Sequence, residues 1–263
     1  MDSIQTLLKR IDETKAWINS RRPLAPKEVK ELDAYFRIGM TYASNALEGN
    51  SLTLTETKIL LEDGLTVGGK PLRDCYEAVG HAHAYDFMLK AAQTTPFNFT
   101  EEVIQRLHKL FFQKIDEDKA GVYRDVQVFI TGTDYVPPPA NEIPILMKAF
   151  VEEMAIKRDI LHPVQLAAFA HQKLADIHPF EDGNGRTARL VMNLIIINRG
   201  YQIVTIPPIL RREYIAALEA SRREKNPDGD ALVRLIAECE LEAQKDFCRM
   251  FHIIPPKKDD FAR

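Results

Sequence analysis

Apolar residues recur at Ile4, Leu7, Leu8, Ile11 and Ile18, the spacing of one helical face, and such a stripe has to pack against something. Arg21-Arg22-Pro23 ends that segment. A second helical stretch runs from Pro26 to Leu47 and stops at Gly49-Asn50, both of which tolerate a left-handed backbone. Thr53 and Glu56 have capping-box spacing and open a third helix that Gly64 closes. Gly68-Gly69-Lys70-Pro71 reads as a turn, after which a helix continues to Ala92. Thr100-Glu101 starts another that reaches Ile115.

The pattern then changes. Val126-Gln127-Val128-Phe129-Ile130 is rich in β-branched residues, Thr131-Gly132-Thr133-Asp134 has turn chemistry, and Tyr135-Val136 runs into Pro137-Pro138-Pro139. This predicts one small β-hairpin whose proline-bounded edge cannot extend a larger sheet. Helical patterns resume over Asn141–Arg158, Pro163–Ile177, Arg186–Arg199, Pro208–Glu224 and Gly229–Phe251. The charged residues Glu238, Glu240, Glu242 and Lys245 read as the solvated face of the last helix. The tail, Pro255 to Arg263, reads as a polar, frayed end. The predicted fold class is all-α, a helical core with one short β-hairpin and an N-terminal helical extension.

Composition narrows the function. The 263 residues suffice for a substantial core, with 45% hydrophobic and 28% charged residues. A net charge of −3 supplies no global field for nucleic acid or an anionic membrane, so neither is expected as a partner. The start, Met1-Asp2-Ser3-Ile4-Gln5, lacks a signal peptide's basic and apolar regions, and the longest apolar run, Leu190–Ile197, is interrupted by Asn193 and far short of the ~20 residues of a membrane span. Three cysteines, Cys75, Cys239 and Cys248, without C-x-x-C spacing suit a reducing compartment, so a cytoplasmic location is expected. His81 with His83, and His171 with His178, lack the companions of a zinc site.

The chemistry concentrates in His178-Pro-Phe-Glu-Asp182-Gly183-Asn184-Gly185-Arg186-Thr187-Ala188-Arg189. Gly183-Asn184-Gly185 offers unobstructed backbone N–H groups that can converge on an anion. The apolar run that follows is helical, so the loop sits at a positive helix terminus. Arg186 and Arg189 lie three apart on that helix, and both can fork onto phosphate oxygens. A carboxylate at the lip, Asp182, repels phosphate unless a cation bridges them, the usual role of Mg2+. His178 is a candidate general base. Taken singly, each element has a plain alternative: a turn, a structural histidine, a solvated arginine face. Their coincidence in twelve residues points to a nucleotide-phosphate site.

The string resembles the signature of the Fic family, His-Pro-Phe-x-(Asp/Glu)-Gly-Asn-Gly-Arg-x-x-Arg, at every specified position, and the resemblance extends from Tyr42 to Cys239, where the chain is similar to the catalytic domain of animal Fic enzymes. It implies a protein adenylyltransferase that moves AMP from ATP, with Mg2+, to a Ser, Thr or Tyr hydroxyl of a target protein. His178 would be the base and Asp182 the metal ligand. Asn184 and the surrounding N–H groups, through Gly183, Gly185, Thr187 and Ala188, would meet the transferring group, while Arg186 and Arg189 would hold the phosphates. The hairpin matches the family's flap, with Val128, Phe129, Ile130 and Thr131 over the nucleotide and the target protein docked near residues 126–136. Gly121-Val122-Tyr123-Arg124 resembles the lead-in to that flap. Tyr214 falls where members contact adenosine, although a core aromatic is an equal reading, and Arg222 stands where the animal enzyme has asparagine near adenine.

Ser44-Asn45-Ala46-Leu47-Glu48-Gly49 matches the family's inhibitory pattern, (Ser/Thr)-x-x-x-Glu-(Gly/Asn). The resemblance implies that Glu48 pairs with Arg189 and keeps ATP from its productive position. It divides the chain into an extension ending in the inhibitory helix (1–50), a catalytic domain (51–252) and a tail (253–263). Two other functions stay open: a phosphodiesterase that removes AMP through the same site, and a non-enzymatic nucleotide-binding regulator. The amphipathic first helix is open between a homodimer contact and packing on the core.

Overall fold

A computed structural model describes residues 3–20, 24–66, 68–94, 98–223 and 228–253, so the predicted Arg21–Pro23 stop and the tail from Pro255 lie outside the described residues. These hold ten α-helices: α1 (Ile4–Asn19), α2 (Pro26–Ala46), α3 (Leu54–Asp63), α4 (Leu72–Ala92), α5 (Glu101–Phe112), α6 (Ile143–Lys157), α7 (Pro163–Ile177), α8 (Asn184–Asn198), α9 (Arg211–Arg222) and α10 (Asp230–Met250). Short 3-10 turns precede α6 and α9. Local chemistry sets several boundaries. Ser3, Thr53 and Thr100 each accept a first-turn N–H through the side chain, Thr53 and Glu56 complete a capping box, and Gly64 ends α3 at φ 68°.

Helix α8 is the centre of the molecule. Every residue from Arg186 to Ile196 is buried, and the helix packs against α7, α4, α5 and α2. It begins two residues before the expected start, which brings Asn184 and Gly185 into its first turn. Helices α4 and α5 approach closely at Gly80, where a Cβ would run into the Phe111 carbonyl. The stripe of α1 is buried: Ile4, Leu7, Leu8 and Ile11 join the main core, and Ile18 packs with Phe247 and Cys248 of α10. That face is spent within the chain and is not free for a second copy. Residues of α1, α2 and the catalytic region share one hydrophobic cluster.

Two expectations are corrected. Residues 126–136 form no β-hairpin, and no strand occurs among the described residues. Pro137, Pro138 and Pro139 have no N–H to donate, so one arm cannot build a ladder. Side chains meet its carbonyls instead: Arg124 reaches Pro138 O at 2.6 Å and Val126 O at 2.8 Å, and the Gln127 amide donates to Pro137 O at 3.0 Å. Glu240, expected on a solvated face, is fully buried and accepts the Gln202 N–H at 3.0 Å. Burial drives its carboxyl well above the ordinary 4.5, against the pull of Gln202, Gln244 and Lys15.

The folded state therefore holds the Glu240 proton more tightly than the unfolded chain does. Its contribution is fully present below the unfolded pKa and is lost as pH rises through the raised folded value. Glu240→Gln keeps the acceptor for Gln202 and removes the titration. Its melting temperature should gain on that of the unsubstituted chain as pH rises from about 5 to about 8, by calorimetry. A pH-independent difference would refute the buried neutral carboxyl.

Candidate active site

The signature loop is built by constraints on both sides. Helix α7 ends at Ile177 because Pro179 cannot continue it, and His178 caps the helix in the left-handed region at φ 51° and ψ 57°. A non-glycine residue pays about 1–2 kcal/mol for that conformation, so the loop has to be held from outside. Phe180 is fully buried with its ring stacked on His108, centroids 3.8 Å apart. The Asn184 carboxamide accepts Phe180 N–H at 2.9 Å and donates to Phe180 O at 2.8 Å. Its side chain is thus committed to shaping the loop. Gly183, at φ 79°, is the N-cap of α8, and a Cβ there would stand 2.7 Å from the Phe111 ring. Thr187 and Ala188 are fully buried, and Thr187 returns its hydroxyl to Gly183 O.

The first-turn N–H groups of α8 have no partner within the helix and form the expected anion-binding end. Asp182 currently occupies part of it, accepting Gly183 N–H at 2.6 Å. The same carboxylate pairs with Arg73 at 2.5 Å and with Arg186 at 3.4 Å. Arg186 is buried, lies over the Phe111 ring and pairs with Glu77 at 3.0 Å. Asp182 is half-exposed at the lip, and no group of three His, Cys, Asp or Glu side chains suited to a metal occurs among the described residues. A lone accessible carboxylate beside a phosphate nest suits a cation that draws its other ligands from phosphate and water.

Arg189, 2% exposed, donates Nε to Ser44 Oγ at 2.9 Å and Nη2 to both Ser44 O and Glu48 Oε1 at 2.8 Å, while Nη1 donates to the Tyr214 hydroxyl at 3.2 Å. Burial pushes the Glu48 carboxyl up, but the guanidiniums of Arg189 and Arg186 outweigh it and hold the group below the ordinary range. The carboxylate lies against the first turn of α8, where a Cβ on Gly185 would collide with Oε1. Glu48 therefore sits where an anion would be bound.

His178 faces the same cleft, a cavity of about 150 Å³ also lined by Glu48, Gly185, Ile130, Thr131 and Tyr214. Its Nδ1 lies 3.2 Å from Ala175 O, which places the proton on Nδ1 and leaves Nε2 as the basic nitrogen. Burial drives its pKa down to about 4; the Ala175 carbonyl opposes this, while Arg124 and Arg222 add to it. Of the four flap residues, Ile130 and Thr131 line the cleft; Val128 does not, and Phe129 is 76% exposed to solvent. Tyr214 lines the cleft, with its buried hydroxyl shared between Arg189 and His171 Nε2 at 3.1 Å. Arg222 pairs with Asp176 and Glu219 at 2.7 Å each, and its guanidinium covers the Tyr135 ring. His81 is buried on Thr41 and His83 is exposed.

Sequence reasoning passed over Glu77, Asn45, His108 and Arg73. Arg73 and Glu77 look like any i,i+4 surface pair, and only the packing of α4 on α8 turns Glu77 toward Arg186.

The Fic/DOC family profile matches residues 98–196. A protein adenylyltransferase Fic of Nematostella vectensis is 34% identical over 238 residues, 89% of this chain and 54% of the relative. Its Drosophila grimshawi counterpart is 36% identical over 210 residues, 79% of this chain and 41% of the relative. The crystal structure of a Fic domain containing signaling protein from Bacteroides thetaiotaomicron superposes with a TM-score of 0.82 at 28% identity, covering 97% of this chain and 99% of that one. The chain belongs to the Fic/DOC family. It spans about half the length of the curated relatives it matches. The family profile covers the flap segment and the loop from His178 to Arg189, whereas Glu48 arrives from outside it, on the end of α2.

The two loop glycines should respond differently. Gly183→Ala meets both the left-handed backbone and the Phe111 ring and should lose about 1–3 kcal/mol in a denaturant melt. Gly185→Ala meets the carboxylate end of Glu48 and, less closely, Arg189 Nη1, at an ordinary helical backbone, so it should lose less than Gly183→Ala while the Glu48 carboxyl titrates upward in NMR as it is pushed from Arg189. Equal destabilisation would contradict the assigned contacts.

Proposed function

We propose that this Fic protein is an ATP-dependent protein adenylyltransferase held in a restrained state by Glu48. The observation that carries the reading is the Glu48–Arg189 pair at 2.8 Å, set against the N-terminus of α8 and beside a neutral His178. A carboxylate–guanidinium fork competes directly with a phosphate–guanidinium fork. While Glu48 holds Arg189, an ATP γ-phosphate lacks its guanidinium and meets a carboxylate instead.

Once Glu48 withdraws, Arg189 and Arg186 take the phosphates over the first-turn N–H groups of α8. Asp182 would hold Mg2+ against the phosphate oxygens, an ion that supplies charge neutralisation there when bound; for this, Arg73 and Arg186 turn from Asp182. His178 Nε2 takes the proton of the target hydroxyl. The hydroxyl oxygen bonds to the α-phosphorus, the bond from that phosphorus to the bridging oxygen breaks, and pyrophosphate leaves. Positioning and charge stabilisation carry such a transfer, with no covalent enzyme intermediate required. The target docks along the flap segment 126–136, where Phe129 and Val136 are exposed.

Glu48 and His178 line one cleft, which supports a second reading: hydrolytic removal of AMP, with the Glu48 carboxylate orienting water. Release of free AMP from a modified protein by the unsubstituted chain, absent with Glu48→Gly, would assign that direction.

Glu48→Gly should raise incorporation of labelled AMP about 10–100-fold, since a charge-assisted phosphate contact is worth about 1.5–3 kcal/mol. Equal labelling with and without the substitution would remove the restraint from the mechanism. Adding His178→Ala to Glu48→Gly should cut transfer by about 10²–10⁴-fold with ATP affinity retained in calorimetry. In the Glu48→Gly protein, the acid limb of kcat/KM should fall well below histidine's ordinary 6.5, because burial lowers the His178 pKa and the raising influence of Glu48 is gone. A limb near the ordinary value would assign the proton transfer to another group.

A further inference from the structure

Arg124 has an unusual set of partners. It is 3% exposed, and among the described residues it makes no ion pair. All three arms of its guanidinium go to backbone carbonyls: Nε to His178 O at 2.8 Å, Nη1 to Val126 O at 2.8 Å and Nη2 to Pro138 O at 2.6 Å. Its own backbone N–H donates to Pro179 O at 2.9 Å. Burying a guanidinium without a carboxylate is costly, so this fork is kept for what it holds in place. Val126 and Pro138 are the two roots of the flap segment, and His178 is the residue in the left-handed conformation.

We propose that Arg124 is a positioning residue that fixes the His178 peptide and both roots of the flap in a single frame. The inference rests on the AMP-transfer reading above. The target hydroxyl is delivered by the flap and the proton acceptor is delivered by the loop after α7. Arg124 is the side chain that touches both, and it thereby sets the distance between acceptor and base. The flap has no strand ladder of its own to do this, and the Pro137 and Pro138 carbonyls are met instead by the side chains of Gln127 and Arg124. The turn that carries Arg124 is itself bolted down. Gly121 N–H donates to His108 Nδ1 at 2.8 Å, and His108 Nε2 donates to Asp182 O at 3.0 Å. A planar guanidinium reaches three carbonyls in three directions, whereas an ammonium is a point charge that cannot reproduce the fork. The guanidinium also adds to the lowering of the His178 pKa, so the positioning group and the base are electrostatically linked.

The test uses the full chain in the Glu48→Gly form, with labelled ATP and cell-extract protein as acceptor. Arg124→Ala should lower labelling at least tenfold while the ATP dissociation constant from calorimetry stays within about threefold, because the phosphate groups sit on α8. In the same variant the His178 ring, followed by NMR, should titrate above its value in the Glu48→Gly parent, since the Arg124 charge adds to the lowering by burial. Guanidinium chloride at low millimolar concentration should restore part of the labelling, and sodium chloride at equal ionic strength should not. Arg124→Lys keeps the charge without the fork and should label as poorly as alanine; it also carries the test if the alanine variant does not fold. Labelling by Arg124→Lys or Arg124→Ala at the arginine rate overturns the proposal. Absence of labelling from Glu48→Gly itself would instead refute the AMP-transfer reading, and loss of the frame in Arg124→Lys would still show as shifted backbone amide resonances of both His178 and residues 126–136 in NMR, whose absence overturns the role of Arg124.

Discussion

A guanidinium with almost no contact to water must be met from every side, and the arrangement of helices around Arg189 follows from that need. Ser44 supplies a hydroxyl and a carbonyl from the last turn of α2, Glu48 a carboxylate just beyond it, and Tyr214 a phenol from α9. Tyr214 is in turn backed by His171 on α7. The two buried histidines near this charge, His81 and His171, are driven down to about 3, by burial first and by Arg189 next. They stay neutral and add no second positive charge. Removing one partner from such a network leaves a buried charge uncompensated, which costs more than the pair contributes when intact. Under the proposed function, a phosphate would be the replacement partner that restores the balance, coupling ligand binding to release of Glu48.

The same logic holds one turn earlier on α8. Arg186 is met by Glu77 from α4 and by Asp182 from the loop. Asp182 is also held by Arg73, so α4 supplies a partner to both Arg186, through Glu77, and Asp182, through Arg73. Rigidity of the loop comes from apolar contacts, with the Phe180 ring between His108 and Tyr123 and Gly183 pressed on Phe111. The loop is thus preorganised by packing while its charges remain exchangeable. Under the proposed function, that combination suits resting partners that give way to a nucleotide.

The flap is organised differently from the rest of the chain. The helices bury stripes against one another, but residues 126–136 hold little core and expose Val126, Phe129 and Val136. They are fastened at the roots by Arg124 and further along by Thr133 on Glu219 and Tyr135 on Asp176 O. A segment fixed at a few polar points and apolar on its open side is suited to receive an extended chain.

The helices, their caps and the loop chemistry were legible in the sequence, because three-to-four periodicity, capping side chains and glycines at left-handed positions are local properties. Thr53 with Glu56, and Gly64 at the end of the same helix, could be read without knowing any neighbour. The residues that hold the two arginines could not, apart from Glu48 and Ser44, which a family pattern marked. Glu77 and Asn45 are ordinary polar positions until α4 and α2 turn them onto α8. Glu240 looked like surface because charge on an amphipathic helix usually is, and only the approach of residue 202 buries it. The β-branched run at 126–130 suggested a strand, yet a strand exists only when a partner can return its hydrogen bonds, and the three prolines opposite cannot. Sequence alone established what each segment prefers and which loop has the backbone chemistry of an anion site. The tertiary structure decided which charges are paired, because pairing depends on distances between helices that no local pattern contains.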